Sequence, residues 1–315
     1  MTKSYVNFGV HLDKRIGSDE YNEYRRKWHT NPKLFKVEDF PLHLDIESTT
    51  HCNLKCPMCY QSYAKPEHKK MEERLFMRIL KQAREHKLLS MKFQYRGEPT
   101  TDGRILKWIP LAKQAGVVET SINTNGTLLN GRWRNQIINS GLDLILFSVE
   151  GSTKKEYEKS RVGAKWEKTL RNIKLLQQLK KERKSTTPYV IVKTVKLPFV
   201  DIDKYYSFWG EIADSVGYGD PVDYTGKFED KRVLSNYSCA QPWQRLVILA
   251  DGDILPCCHS THGWEKELVL GNAYKDKIHD IWVGEQMTKL RELHSSGRSH
   301  ECEMCIHCGL RKNVV

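Results

Sequence analysis

Residues 41–60 read PLHLDIESTTHCNLKCPMCY. The first half alternates: Leu42, Leu44 and Ile46 are apolar while His43, Asp45 and Glu47 are polar, the period of a β-strand. The second half carries Cys52, Cys56 and Cys59 at Cx3Cx2C spacing, with Tyr60 after the last. A strand that runs straight into this loop puts three thiols at its C-terminal end, where parallel α/β sheets gather their ligands. Three thiolates on one short loop suit three irons of a cubane and leave the fourth iron open to a substrate or cofactor. Ordinary electron-transfer clusters fill all four corners with cysteine. Two other readings stay open. A zinc site needs a fourth ligand, for which His51 or His68 is near, and the three cysteines are otherwise core residues.

Outward from this loop, strand-like and helical stretches alternate. Strand patterns fall at 42–48, 91–98, 117–123, 142–149 and 189–196, with a weaker sixth near 222–225. Helical patterns fall at 72–88, 103–115, 132–139, 166–184 and 203–213; in the first, Leu75, Ile79 and Ala83 recur every four residues. Such alternation implies parallel βαβ units. Six units are too few for a closed eight-stranded barrel. The predicted fold is α/β, a partial (β/α)6 barrel of parallel strands at 41–235 with a small Cys-rich C-terminal domain at 236–315. Residues 1–40 form a basic leader with a short helix at 21–27, ended by Asn31-Pro32. The C-terminal segment, read as one short strand at 246–250 and one helix at 281–293, has too little apolar surface to fold well without metal.

Composition narrows the class. The chain has 315 residues, 39% hydrophobic, with a formal net charge of +12. No apolar run is long enough to span a membrane, and residues 1–10 lack a signal sequence, so a cytoplasmic protein is expected. The nine cysteines are odd in number and clustered, which favours metal over a disulfide framework. The positive charge admits a zinc- or cluster-bearing nucleic-acid-binding protein. However, Lys and Arg are scattered over many helices with no basic-aromatic stripe.

The Cx3Cx2C loop with its following aromatic, after the first strand of a partial barrel, resembles the radical S-adenosylmethionine (SAM) superfamily. The resemblance implies a [4Fe–4S] cluster on Cys52, Cys56 and Cys59 whose open iron is chelated by SAM, and reductive cleavage of SAM to a 5′-deoxyadenosyl radical that abstracts hydrogen from substrate. Further matches follow in order. Arg96-Gly97-Glu98-Pro99 resembles the family's Gly-Gly-Glu-Pro segment, with Arg96 in place of the first glycine; the Gly97 backbone and Glu98 would bind the SAM ammonium. Thr124-Asn125-Gly126 resembles its Thr-Asn-Gly turn. Ser148-Val149-Glu150-Gly151 resembles its Ser-x-Asp-Gly turn, with Glu for Asp. Tyr60, Asn125, Ser148 and Arg161 are thereby candidate SAM contacts, the last two for its carboxylate or ribose.

The C-terminal cysteines resemble the SPASM domain that follows many radical SAM domains. Twelve residues separate Cys239 from Gly252, four separate Gly252 from Cys257, and Cys302, Cys305 and Cys308 come later at Cx2Cx2C. Trp282 also resembles a residue of that domain's helix. Full SPASM domains carry seven cysteines and two auxiliary clusters; the six here imply a shortened, twitch-like form with one auxiliary [4Fe–4S] cluster. Cys239 and Cys257 would be ligands, with two of Cys302, Cys305 and Cys308, the first two being favoured. Cys258 reads as a spectator thiol. A structural zinc is the alternative, given His259, His262, His300 and His307.

Strand alternation also speaks to substrate. With Leu42, Leu44 and Ile46 outward, His43, Asp45 and Glu47 turn inward; Gln94, Arg96 and Glu98 would share the inner face of the second strand, opposite Phe93 and Tyr95. Lys193 would face in from the fifth. Asp45, Glu47, Arg96 and Lys193 are the candidate catalytic residues, three of them as bases. A polar interior holds either a polar substrate or a self-paired network. The expected function is a radical SAM oxidoreductase acting on a sugar or amino-sugar, also because only about 40 residues precede the barrel. The alternative is a maturase that modifies a peptide or protein. A flavodoxin- or ferredoxin-type electron donor would serve either.

Overall fold

The structure, a computed structural model, describes residues 18–64, 66–221, 237–259, 268–306 and 308. Six parallel strands pair in chain order: β1 (His43–Ile46), β2 (Ser90–Lys92), β3 (Glu119–Thr124), β4 (Leu144–Ser148), β5 (Tyr189–Val195) and β6 (Ser215–Gly219). The expected strand at 222–225 lies outside the described residues; β6 precedes it. The helices are α1 (Asp19–Leu34), α2 (Tyr60–Ala64), α3 (Glu73–Glu85), α4 (Ile105–Gln114), α5 (Gly131–Asn139), α6 (Lys154–Ser160), α7 (Trp166–Glu182), α8 (Ile202–Trp209), α9 (Ile278–Trp282), α10 (Glu285–Ser295) and α11 (Glu303–Ile306). The α/β partial barrel read from the sequence is the architecture found.

Burial explains the layering. On α3, Leu75, Phe76, Ile79, Leu80 and Ala83 are buried against the outward Leu44, Ile46 and Met91 of the strands. Phe76 stacks on Trp108 of α4 at 4.3 Å and packs on Phe93. Its complete burial contributes about 2–3 kcal/mol. In β4 both faces are covered: Ile145 and Phe147 join the helix-side core, while Leu144, Leu146 and Ile191 form a small apolar cluster apart from it.

The Cys-rich segment does not stand apart from the barrel. β7 (Arg245–Ile248) pairs in parallel with β1, and β8 (Asp253–Leu255) and β9 (Gly271–Asn272) add antiparallel strands beyond it. The sheet order is β6-β5-β4-β3-β2-β1-β7-β8-β9. The single helix expected at 281–293 is two, α9 and α10, separated at Val283-Gly284.

The leader also differs from its sequence reading. Ser18 caps α1, accepting from Tyr21 N at 3.3 Å, and the helix runs through Pro32 instead of ending there. Pro32 removes the N–H that would bond to the carbonyl of Trp28. The side chain of Gln244 donates to that carbonyl at 2.9 Å, so the helix loses no partner. Tyr21, Tyr24 and Trp28 pack on Leu42, Leu89 and Val118, so α1 covers the N-terminal ends of β1–β3.

Candidate active site

The C-terminal ends of the strands surround a cavity of about 310 Å³. Cys52, Cys56, Cys59 and Tyr60 line it, with Gly97, Glu98, Asn125, Ser148 and Arg161. Every residue assigned to the first cluster or to SAM by resemblance therefore meets in one place. Gln94, Tyr95, Arg96, Asn123, Val195 and Cys258 complete much of the wall.

Backbone geometry holds the cysteine loop open toward this cavity. Cys59 N donates to Cys56 O at 3.0 Å, and Lys55 N to Val162 O at 3.0 Å. The side chain of Gln61 on α2 donates to Thr50 O and Arg96 O at 2.6 and 2.9 Å, fastening the far end of the loop. Asn125 donates to Asn53 Oδ1 at 3.0 Å, joining the loop to the end of β3. Gly97 is required: a Cβ there would sit 2.1 Å from Thr49 O and 2.9 Å from His51 O.

Glu98 is buried. Its Oε1 accepts from Thr100 N at 3.0 Å, Thr124 Oγ1 at 2.6 Å and the Thr100 hydroxyl; Oε2 accepts from Asn125 N at 2.7 Å. Burial raises its pKa, against these bonds. The carboxylate thus braces the ends of β2 and β3 as well as bordering the cavity. Arg161 makes a two-pronged pair with buried Glu150 and turns Nη1 to Cys56 Sγ at 3.7 Å. Burial pushes the Cys52 thiol up to about 11 and raises Cys56 too, where Arg161 opposes it.

The four candidate catalytic residues fare differently. Asp45 is fully buried among Lys92 Nζ (2.5 Å), Arg245 Nη1 (2.9 Å) and His43 Nε2 (3.3 Å). Burial opposes its ionisation, but the cations outweigh it and hold the carboxyl well below the usual range. Glu47, also fully buried, is clamped by Arg96 at 2.6 and 2.8 Å and accepts from Ala250 N at 3.2 Å. Arg96 borders the cavity; Asp45, Glu47 and Lys193 are not among the residues of its wall. Lys193 pairs in register with Ser148, and burial lowers its pKa.

Gln94, Arg96 and Glu98 all border the cavity, as the alternation along 93–98 predicts, but Tyr95 borders it too, because β2 ends at Lys92. Phe93 enters the helix-side core, but Tyr95 packs with Val247, Leu249, Leu255 and Cys258.

A second, enclosed cavity gathers Cys239, Cys257, Cys305 and Cys308, with Tyr237, His259 and His294. The sequence reading favours Cys302 and Cys305; the pair that lines this cavity is Cys305 and Cys308, and Cys302 is not among its lining residues. His294 on α10 had no sequence signal. It accepts from Cys239 N at 3.0 Å and stands 3.3 Å from Cys305 Sγ. Of the other histidines, His262 and His307 lie outside the described residues. Cys258 faces the first cavity, its thiol donating to Gln241 Oε1 at 3.2 Å, while Gln241 and Cys257 line the second.

The donor sets fit clusters. None of the nine cysteines is in a disulfide. Among the described residues no three Cys, His, Asp or Glu side chains close on a point that one metal ion fills. Cys52, Cys56 and Cys59 share one cavity, which Cys258 also borders, and Cys239, Cys257, Cys305 and Cys308 share the other. Three thiols on one loop suit a cluster with an open corner, and four around one cavity suit a fully cysteine-ligated one.

Comparison with known proteins agrees. The radical SAM superfamily model matches residues 46–201, and the iron–sulfur cluster-binding SPASM model matches residues 239–309. A curated relative, the tungsten-containing aldehyde ferredoxin oxidoreductase cofactor-modifying protein of Pyrococcus furiosus, is 25% identical over 317 residues, covering 85% of this chain and 87% of the relative. Streptococcus suis SuiB bound to its precursor peptide SuiA superposes with a TM-score of 0.67 at 19% identity, over 93% of this chain and 75% of SuiB. BtrN in complex with AdoMet and 2-DOIA gives a TM-score of 0.59 at 19% identity, over 87% of this chain and 94% of BtrN. Both domains are iron–sulfur modules and the first is also a SAM-binding one; the chain is a SAM-cleaving enzyme of the radical SAM superfamily with a C-terminal SPASM domain.

Proposed function

We propose that this enzyme is a maturase that abstracts hydrogen from a peptide or protein substrate. The observation that carries this reading is the closure of the polar interior on itself. Asp45 is taken up by Lys92, Arg245 and His43, and Glu47 by Arg96. The groups that favoured a sugar are thus occupied within the chain. The wall that remains mixes Leu54, Met58, Tyr95 and Val195 with Gln94 and Asn123, a surface suited to a side chain and its amide backbone. The Pyrococcus furiosus relative is named as modifying the cofactor of another enzyme, and SuiB is bound to a precursor peptide.

In this reading Cys52, Cys56 and Cys59 hold the SAM-binding cluster, and Cys239, Cys257, Cys305 and Cys308 hold an auxiliary one. When bound, the first cluster supplies the electron that cleaves SAM. Tyr60, Gly97, Asn125, Ser148 and Arg161 orient SAM; Glu98 holds the loops that carry Gly97 and Asn125. Lys193, whose pKa burial lowers, is the candidate base for a proton lost if the product is oxidised. The enzyme works in the cytoplasm with a flavodoxin- or ferredoxin-type donor. Among the described residues no helix is long and apolar enough to cross a membrane.

A second reading, oxidation of a polar small molecule, is supported by the fold shared with BtrN, whose structure holds 2-DOIA. Deuterium transfer separates the two. Cells that make this protein are grown in D2O, and their polypeptide and ultrafiltered small-molecule fractions are each given to the reconstituted enzyme with SAM and dithionite in H2O. The maturase reading expects deuterium in 5′-deoxyadenosine from the polypeptide fraction. Label from the small-molecule fraction alone, or from neither, contradicts it.

A further inference from the structure

Resemblance assigns Arg161 to the carboxylate or ribose of SAM. The geometry gives its guanidinium another task. Nε and Nη2 are both engaged by Glu150, Nη2 at 2.7 Å, and Nη1 donates to Cys56 Sγ at 3.7 Å. Glu150 is 1% exposed, so the pair is shielded from solvent and fixed in orientation. The backbone holds the same alignment. Arg161 ends α6, whose start is locked by the capping box of Thr153 and Glu156. The next residue, Val162, accepts from Lys55 N at 3.0 Å, one position before Cys56. Sulfur and guanidinium are thus set against each other from both sides. The longer Glu at position 150, where the family turn has Asp, supplies the carboxylate that aims the guanidinium.

We propose that Arg161, aimed by Glu150, sets the reduction potential of the three-cysteine cluster by donating to the Cys56 sulfur. Reduction adds one negative charge to a cluster. A cation and an N–H donor at a ligating sulfur stabilise that charge and raise the potential, and a nearby carboxylate opposes it. Arg161 in this role acts through Cys56 and is a positioning and tuning residue. The inference rests on the cluster assignment to Cys52, Cys56 and Cys59 made above.

The test is a potentiometric titration of the reconstituted full-length enzyme, followed by electron paramagnetic resonance in the absence of SAM. The cluster at issue is the one whose signal changes when SAM is added to the wild type. Arg161→Gln is expected to make its one-electron reduction about tenfold less favourable, a shift of 59 mV to lower potential. Glu150→Gln, which leaves the arginine charge unbalanced, is expected to shift the potential the opposite way. Arg161→Lys, keeping the charge, is expected to recover part of the loss and serves as the arginine probe if Arg161→Gln fails to fold. Unchanged potentials in the arginine and Glu150 variants, or shifts of the same sign, would overturn the proposal. A role confined to holding SAM gives that unchanged result while weakening SAM binding. A wild type with no SAM-responsive cluster signal would instead overturn the cluster assignment, and this proposal with it.

Discussion

Arg96 stands where the resembling segment has glycine, and its partner explains it. The Glu47 side chain has no solvent exposure, and Arg96 answers its two oxygens with two bonds. Taking away one member leaves the other charge buried and alone, which costs about 3–5 kcal/mol; replacing both with apolar groups of similar size is often neutral. Arg96→Met is therefore expected to lower the denaturant midpoint sharply, and Arg96→Met with Glu47→Leu to restore most of it. Equal loss in the single and double variants would mean the pair is not the source of the cost. Sequence alternation placed Asp45 and Glu47 on the inner face, and could not say whether a substrate or another side chain met them. That answer depended on Arg245, about 200 positions away, reaching Asp45 across the β1–β7 pairing.

At the scale of elements, α1 and β7 together close the N-terminal end of the barrel. Trp28 on α1 meets the His43 ring edge-on at 5.9 Å and lies under Arg245 of β7 at 4.9 Å. His43 bonds Ser90 Oγ through Nδ1 at 2.8 Å, and burial lowers its pKa from 6.5 to about 4 although Asp45 pulls the other way. Between those values the unfolded chain takes up a proton that the folded chain refuses. Stability is thus full above about pH 6.5 and falls as pH drops toward about 4. His43→Asn, which retains a nitrogen for Ser90, is expected to flatten the melting temperature across that window; an unchanged slope would assign the acid loss elsewhere. The strand-helix alternation that carries the barrel was legible because such units have their own local period, as β1 and α3 show. What was not legible was pairing over long range. The run at 246–250 read as an isolated strand, and only its hydrogen bonds to β1 make it part of the barrel's sheet. Pro32 read as a helix end because its compensating donor, Gln244, sits in another element.

For the whole molecule, the sheet links two cavities, one lined by the three loop thiols together with Cys258 and one by Cys239, Cys257, Cys305 and Cys308. Cys257 and Cys258, adjacent in sequence, line different cavities. Cysteine spacing located both sites but left the last ligand pair undecided, since Cys302, Cys305 and Cys308 are evenly spaced; of the three, Cys305 and Cys308 line the second cavity. Cys308→Ala is expected to lower bound iron from about eight atoms per chain to about four, whereas Cys302→Ala keeps about eight. The reverse pattern would exchange the ligands.

The central claim is that the cysteine loop after β1 offers an iron to SAM. It is tested most directly by anaerobic incubation of the reconstituted protein with SAM and dithionite, followed by quantification of 5′-deoxyadenosine. The account predicts steady formation by the wild type and none by Cys52→Ala. No product from a wild type that carries its full iron, or equal product from both proteins, would contradict it.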